Sequence, residues 1–248
     1  MHSTAYITRF VLIMTTIVAM VLAFLSFGLK PIHKKNEAVY NKKAILSAIA
    51  DQLEGDYTKM TDDEVQGIFD KNITQEVINM EGTVLGSEDV IAAGYPGGRA
   101  EDIDMRKEKK KSDEDRIFPI YTYTKADGEK LYILSVVGNG LWDAIWGNIA
   151  LKSDKNTIAG VAFDHAGETP GLGAEIKDNQ AWVDQFKGKS IYDEQGNFVS
   201  VDVKKAGGTK NLPHAVDGIT GATITADGVD AMLEDGLEFY EPFLKKNN

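Results

Sequence analysis

Residues Asp217 to Thr225 read D-G-I-T-G-A-T-I-T: three threonines, two glycines and one acid, with no histidine or cysteine among them. A threonine hydroxyl is a poor nucleophile unless a base or metal activates it, and the neighbouring residues offer no obvious base. The stretch precedes an amphipathic run (226–245), which places it at a helix N-terminus, where free N–H groups and partial positive charge favour a phosphate. One reading is structural: Thr223 or Thr225 caps the helix and the glycines form the turn before it. That accounts for a single threonine. It leaves Thr220, Thr223 and Thr225 together, the small pair Gly221-Ala222 between them, and Asp217 six residues before Thr223. A hydroxyl among small residues is what an external enzyme needs to reach.

Two further stretches carry polar or aromatic groups in unusual settings. His165 to Glu175 (HAGETPGLGAE) holds Glu168, Thr169, Leu172 and Gly173 around Pro170 and follows a strand-like run. Such a loop can present its backbone N–H groups to a ligand, and a tight turn needing glycine for steric reasons explains the same spacing. Gly138 to Gly147 holds Trp142 and Trp146, four apart and on one face if the turn is helical. An aromatic ring system such as a flavin can pack on them, and so can an ordinary core. Metal and thiol chemistry find no support: there is no cysteine, and the four histidines are scattered without H-x-x-x-H spacing.

The elements that position these stretches begin with Phe10–Leu29, 20 residues without a charge between Arg9 and Lys30. At 1.5 Å per residue this run spans about 30 Å, the thickness of a bilayer's hydrocarbon core. It exceeds a signal peptide's apolar region and lacks a cleavage site, so it reads as a single transmembrane helix. Lys30, Lys34, Lys35, Lys42 and Lys43 follow it and only Arg9 precedes it, which by the positive-inside rule puts the large domain in the cytoplasm. Helical spacing continues over 36–53, and a short helix is predicted to start at Thr61, capped with Glu64. Strands are predicted at 118–124, 130–137, 157–163 and 198–204, the first two joined as a hairpin, and helices at 179–186 and 226–245. The charge-dense run Met105–Arg116 reads as a solvated loop. Strands and helices without β-α-β alternation imply an α+β class with a mixed, largely antiparallel sheet and packed helices. A net charge of −11 argues against a nucleic-acid partner.

Asp217-Gly218-Ile219-Thr220-Gly221-Ala222-Thr223 resembles the flavinylation motif of the covalent FMN-binding domain family, in which the last threonine carries FMN through a phosphoester. The Glu168-Thr169-Pro170-Gly171-Leu172-Gly173 loop and the Gly140-Leu141-Trp142 turn are similar to the same family's. The family motif often has serine where Thr220 stands, which keeps a hydroxyl there. The order of parts is also similar: one membrane helix, a lysine-bearing helix, the FMN domain and a C-terminal helix. The resemblance implies the parts 1–9 (tail), 10–29 (span), 30–115 (stalk and N-terminal soluble region) and 116–248 (FMN domain). It implies FMN on Thr223, attached by a separate flavin transferase that uses FAD and a divalent metal and recognises Asp217. Glu168, Thr169, Leu172 and Gly173 then contact the ring or ribityl chain, with Trp142 or Trp146 stacking nearby. It implies an electron-carrying member of a bacterial inner-membrane complex, partnered by other membrane subunits, with the FMN domain on the periplasmic side. Within the family the chain is most similar to FMN subunits of sodium-translocating NADH:quinone reductases. The related ferredoxin:NAD-oxidising complex is the alternative, and a non-redox membrane-anchored binding module a third.

Overall fold

The computed structural model describes residues 3–205 and 207–246. The chain forms two compact units, one ending at Tyr40 and the other beginning at Asn41. Helix α1 (Thr4–Ser47) contains the apolar run, with a mean hydropathy of 2.6 over its best window and no burial there. By length and composition it can cross a membrane, and its hydroxyls do not oppose this. Thr15 and Thr16 bond back to the carbonyls of Val11 and Leu12 at 2.9 and 2.8 Å. The expected span and the helix beyond it are thus one element that passes through Pro31. It ends at Ser47, short of Leu53, where the chain turns to lay the Ala48 carbonyl against Gly160.

In the second unit, α2 (Asp62–Asn72) starts as predicted: Thr61 Oγ1 accepts the Glu64 N–H at 3.3 Å, and Glu64 Oε2 accepts the Thr61 N–H at 2.7 Å. Next come β1 (Ile73–Asn79), α3 (Ser87–Ala92), α4 (Met105–Glu108), β2 (Ile117–Thr124), β3 (Lys130–Asn139), β4 (Ala144–Leu151) and β5 (Ile158–His165). The five strands form one antiparallel sheet in chain order. Short helices α5 (Glu175–Asp178) and α6 (Gln180–Val183) precede β6 (Asp202–Lys204) and β7 (Ala215–Asp217), which pair in parallel. Helices α7 (Thr223–Glu238) and α8 (Glu241–Lys246) close the chain.

Both faces of the sheet are covered. Leu134, Val136, Ile145 and Ile149 pack with Val229, Met232, Leu233 and Leu237 of α7, while Ile133, Leu131 and Ala150 face Leu46, Ile49, Val65 and Phe69. Because β1 pairs with β2 along its length, residues ahead of 116 share this core.

Several elements differ from expectation. The run 105–116 is largely exposed as expected, but it folds around one buried acid, Glu108, which is 1% exposed and fully engaged. Its carboxylate accepts from the Tyr95 hydroxyl, from the Ile117 N–H at 3.0 Å and from Lys111 at 2.8 Å. The strand predicted over 198–204 shrinks to Asp202–Lys204, since Ser200 takes a left-handed φ of 57°. The helix over 179–186 is divided, with the Asn179 side chain capping α6 by accepting the Trp182 N–H at 3.2 Å. The C-terminal helix breaks between Glu238 and Glu241, ahead of Pro242, which has no N–H to continue it. Its predicted apolar face (Val229, Met232, Leu233, Leu237, Tyr240, Leu244) is buried throughout.

Candidate functional site

Strand β5 delivers the chain into the 166–174 loop at the sheet edge, where Ala166 N–H donates to the Ala144 carbonyl at 2.9 Å. His165 Nδ1 then accepts the Glu168 N–H at 3.1 Å, and Glu168 turns inward to 5% exposure. Its Oε1 accepts the Trp142 N–H at 2.9 Å and its Oε2 accepts the Thr225 hydroxyl at 2.7 Å. One carboxylate therefore joins the β3–β4 turn, the 166–174 loop and the first turn of α7. Burial alone raises a carboxyl's pKa. Here the Trp142 N–H, the Thr225 hydroxyl and the Asp143 N–H outweigh burial and hold Glu168 below its usual range. Gly173 belongs to the same junction: a Cβ there would lie 2.2 Å from Glu168 Oε2 and 2.6 Å from Thr225 Oγ1. Each oxygen bonds one of the protein's own segments, so Glu168 holds the two together.

The three threonines differ sharply. Thr225 is 1% exposed and its hydroxyl is donated to Glu168, whereas Thr220 and Thr223 are exposed. Thr223 is the first residue of α7, and the N-cap is Ala222, with no side-chain cap bond. The helix's first bond is from Ala226 N–H to the Ala222 carbonyl at 2.9 Å. The threonine-cap reading is therefore not realised, and the N–H groups of the first turn have no intrahelical partner. Gly221 precedes them at φ 83°, and a Cβ there would lie 3.1 Å from Leu172 Cδ2. The left-handed backbone favours glycine here, and the close leucine leaves little room for a side chain.

Asp217 is directed elsewhere. Its Oδ1 accepts the Thr209 hydroxyl at 2.7 Å and N–H at 3.2 Å, and the Thr209 hydroxyl, ahead of other donors, holds its pKa down. Leu141, Trp142, Leu172 and Ile224 stand 44–69% exposed on the joined segments, and Thr169 is exposed beside them in sequence. The two tryptophans do not share a helical face, because 144–151 is a strand. Trp146 lies on the sheet face opposite Ile145, with the Arg106 guanidinium 5.7 Å from its ring centroid. It is not brought to the threonines. Among the described residues no cluster of three or more His, Asp or Glu side chains is placed to hold a metal.

The FMN-binding domain family matches residues 140–238, which contain the β3–β4 turn, the Glu168 loop and Thr223. Over 88% of this chain and 87% of the relative, the sequence is 37% identical to the C subunit of the Na(+)-translocating NADH-quinone reductase of Pseudomonas aeruginosa. The chain belongs to the NqrC family, the C subunits of these reductases. The fold agrees with two crystal structures of NqrC proteins. That from Parabacteroides distasonis superposes with a TM-score of 0.74 at 34% identity, covering 89% of this chain and 98% of its own. That from Shewanella oneidensis gives 0.68 at 28% identity, covering 87% and 98%.

In this NqrC chain the sequence patterns missed His165 and the Trp142 backbone N–H as parts of the junction. They also left Thr225 without a partner. Glu168 and Thr225 lie 57 positions apart, and no spacing rule connects them. The available signal was an acid in a loop of otherwise small and apolar residues.

Proposed function

We propose that FMN is joined by a phosphoester to Thr223 and that this chain is the flavin electron carrier of a Na+-translocating NADH:quinone reductase, working between NADH and quinone while the complex moves Na+. The observation that carries this reading is the contrast among the threonines: the motif's last threonine is exposed directly after the small pair Gly221-Ala222, and Thr225 is buried and committed to Glu168. The surroundings suit the group. Unpaired N–H groups at the start of α7 favour a phosphate's charge, and exposed Leu172, Trp142, Leu141 and Ile224 offer apolar surface for a flavin ring. Bound FMN supplies the uptake and release of electrons, and the protein supplies the tether and orientation. Thr223 is the tether, Glu168 fixes the segments that bear the apolar side chains, and Gly173 leaves room for that junction. Among the described residues no side chain is bonded to the Thr223 hydroxyl to activate it, so attachment falls to an external flavin transferase using FAD and a divalent metal.

The anchor implies membrane residence, and the reading places the FMN domain on the periplasmic side of the inner membrane, beside the other membrane subunits. The fold weakens the contrary lysine count. Lys42 is 8% exposed, donates to Gln66 Oε1 at 2.8 Å and pairs with Glu101 at 2.9 Å. Lys43 donates to the Met60 carbonyl at 2.7 Å. These two lysines act within the folded body, leaving Lys30, Lys34 and Lys35 to weigh on orientation, and long domains cross regardless of such charges.

Peptide mass spectrometry of protein from the native host tests the assignment: the flavin phosphate is expected on Thr223. Finding it on Thr220, on Thr225 or nowhere overturns the proposal.

A further inference from the structure

His165 has no part in the tether or the apolar surface, yet it makes a contact whose direction is chemically fixed. The backbone N–H of Glu168 can only donate, so the ring nitrogen 3.1 Å away, Nδ1, must be the unprotonated one. The ring is then neutral with its proton on Nε2. His165 ends β5, pairs with Ile145 across the sheet, and is followed by the Ala166 bond to Ala144. The imidazole is therefore fixed to the sheet on one side and holds the first turn of the loop on the other. Three residues on, the same Glu168 carries both anchors of the junction, Trp142 N–H and Thr225 hydroxyl.

We propose that neutral His165 is the positioning residue for the flavin-bearing end of α7, acting through the Glu168 N–H to aim the Glu168 carboxylate at Trp142 and Thr225. The proposal rests on FMN being carried by Thr223, two residues before Thr225. Only an acceptor at this position can hold the Glu168 N–H, so the contact depends on the unprotonated Nδ1 and not on the bulk of the ring. The neighbouring Asp164 is engaged apart from the ring, accepting the His165 backbone N–H at 2.9 Å and pairing with Lys177 of α5 at 2.9 Å.

Two substitutions separate positioning from bulk. Asparagine at 165 restores an acceptor oxygen that does not titrate, in the Asx geometry suited to an N–H a few residues on. Alanine restores nothing. The first arm uses the full-length apo-protein in detergent and measures the protection factor of the Glu168 amide by hydrogen exchange. His165→Ala is expected to lose about 2- to 10-fold protection relative to wild type, the span of one net hydrogen bond. His165→Asn is expected to recover most of it. The second arm follows flavin fluorescence anisotropy of the flavinylated full chain, with the same ordering expected. Wild-type protection in His165→Ala, or no recovery in His165→Asn, overturns the proposal. The exchange arm needs no flavin, so it decides His165 even if mass spectrometry places FMN on another residue.

Discussion

Replacing Gly173 by Ala inserts one methyl into the junction that orders the site. Its Cβ would stand 2.2 Å from Glu168 Oε2 and 2.6 Å from Thr225 Oγ1, closer than real Cβ contacts allow. Glu168 cannot simply rotate away, because Oε1 is held by the Trp142 N–H at 2.9 Å. The methyl therefore breaks the Thr225–Glu168 bond. A hydrogen bond to a charged acceptor is worth about 1.5–3 kcal/mol, and overpacking a buried site costs about 1–3 kcal/mol. Because one displacement relieves both, the expected loss is about 2–4 kcal/mol. For a domain of this size that lowers Tm by roughly 4–16 °C. The assay is thermal unfolding of the detergent-solubilised apo-protein, followed by the near-ultraviolet signal. Gly167→Ala is the control: nothing lies within 4 Å of its built Cβ, so it is expected to be neutral or slightly stabilising. A Thr225→Val background completes a cycle, in which Gly173→Ala should cost less than in wild type because the bond is already gone. Equal Tm values for Gly173→Ala and Gly167→Ala, or strict additivity with Thr225→Val, refute the reasoning.

Replacing Leu172 by Ala should leave FMN attached with unchanged mass, brighten its fluorescence and shift its potential; since Leu172 is 44% exposed, the apo-protein should lose less than about 1 kcal/mol. Thr223→Val should abolish covalent flavin while the apo-protein folds normally, checked by in-gel fluorescence beside circular dichroism. The Glu168 carboxyl is held below its usual range in the folded state, so its contribution is present above its unfolded pKa and is lost as pH falls through the folded value. Glu168→Gln should therefore flatten the acid limb of the stability–pH curve, and an unchanged limb counts against the junction. Protease added to intact spheroplasts should remove the FMN domain, and full protection would restore the lysine count.

Much of this fold was legible in the chain. The apolar run, the Thr61–Glu64 cap, the hairpin at Lys125–Glu129 and the buried face of α7 all follow from local composition and spacing. The failures have physical causes. Strand β1 has Gln75 and Glu76 at its centre and reads as polar, and β4 was hidden by two tryptophans whose spacing also suits a helix. Glu108 reads as solvated with the rest of the run 105–116, because nothing local shows that Tyr95 and Ile117 will enclose it. In the site, the motif picked out the loop that opens α7. It did not show that Thr225 would be buried and committed to a glutamate 57 positions earlier.

On the attachment proposed above, the order of biogenesis follows from where Thr223 sits. Thr223 opens a helix whose inner face is held by β3 and β4, strands that begin more than 70 residues earlier in the chain. The helix exists in this setting only after nearly the whole chain has been made and packed, yet its first hydroxyl still faces outward. A transferase that requires the helical start would thus act on finished molecules and pass over unfinished ones. Flavin content would then serve as a stamp of correct folding, and a refolded apo-chain should accept flavin where a denatured one does not.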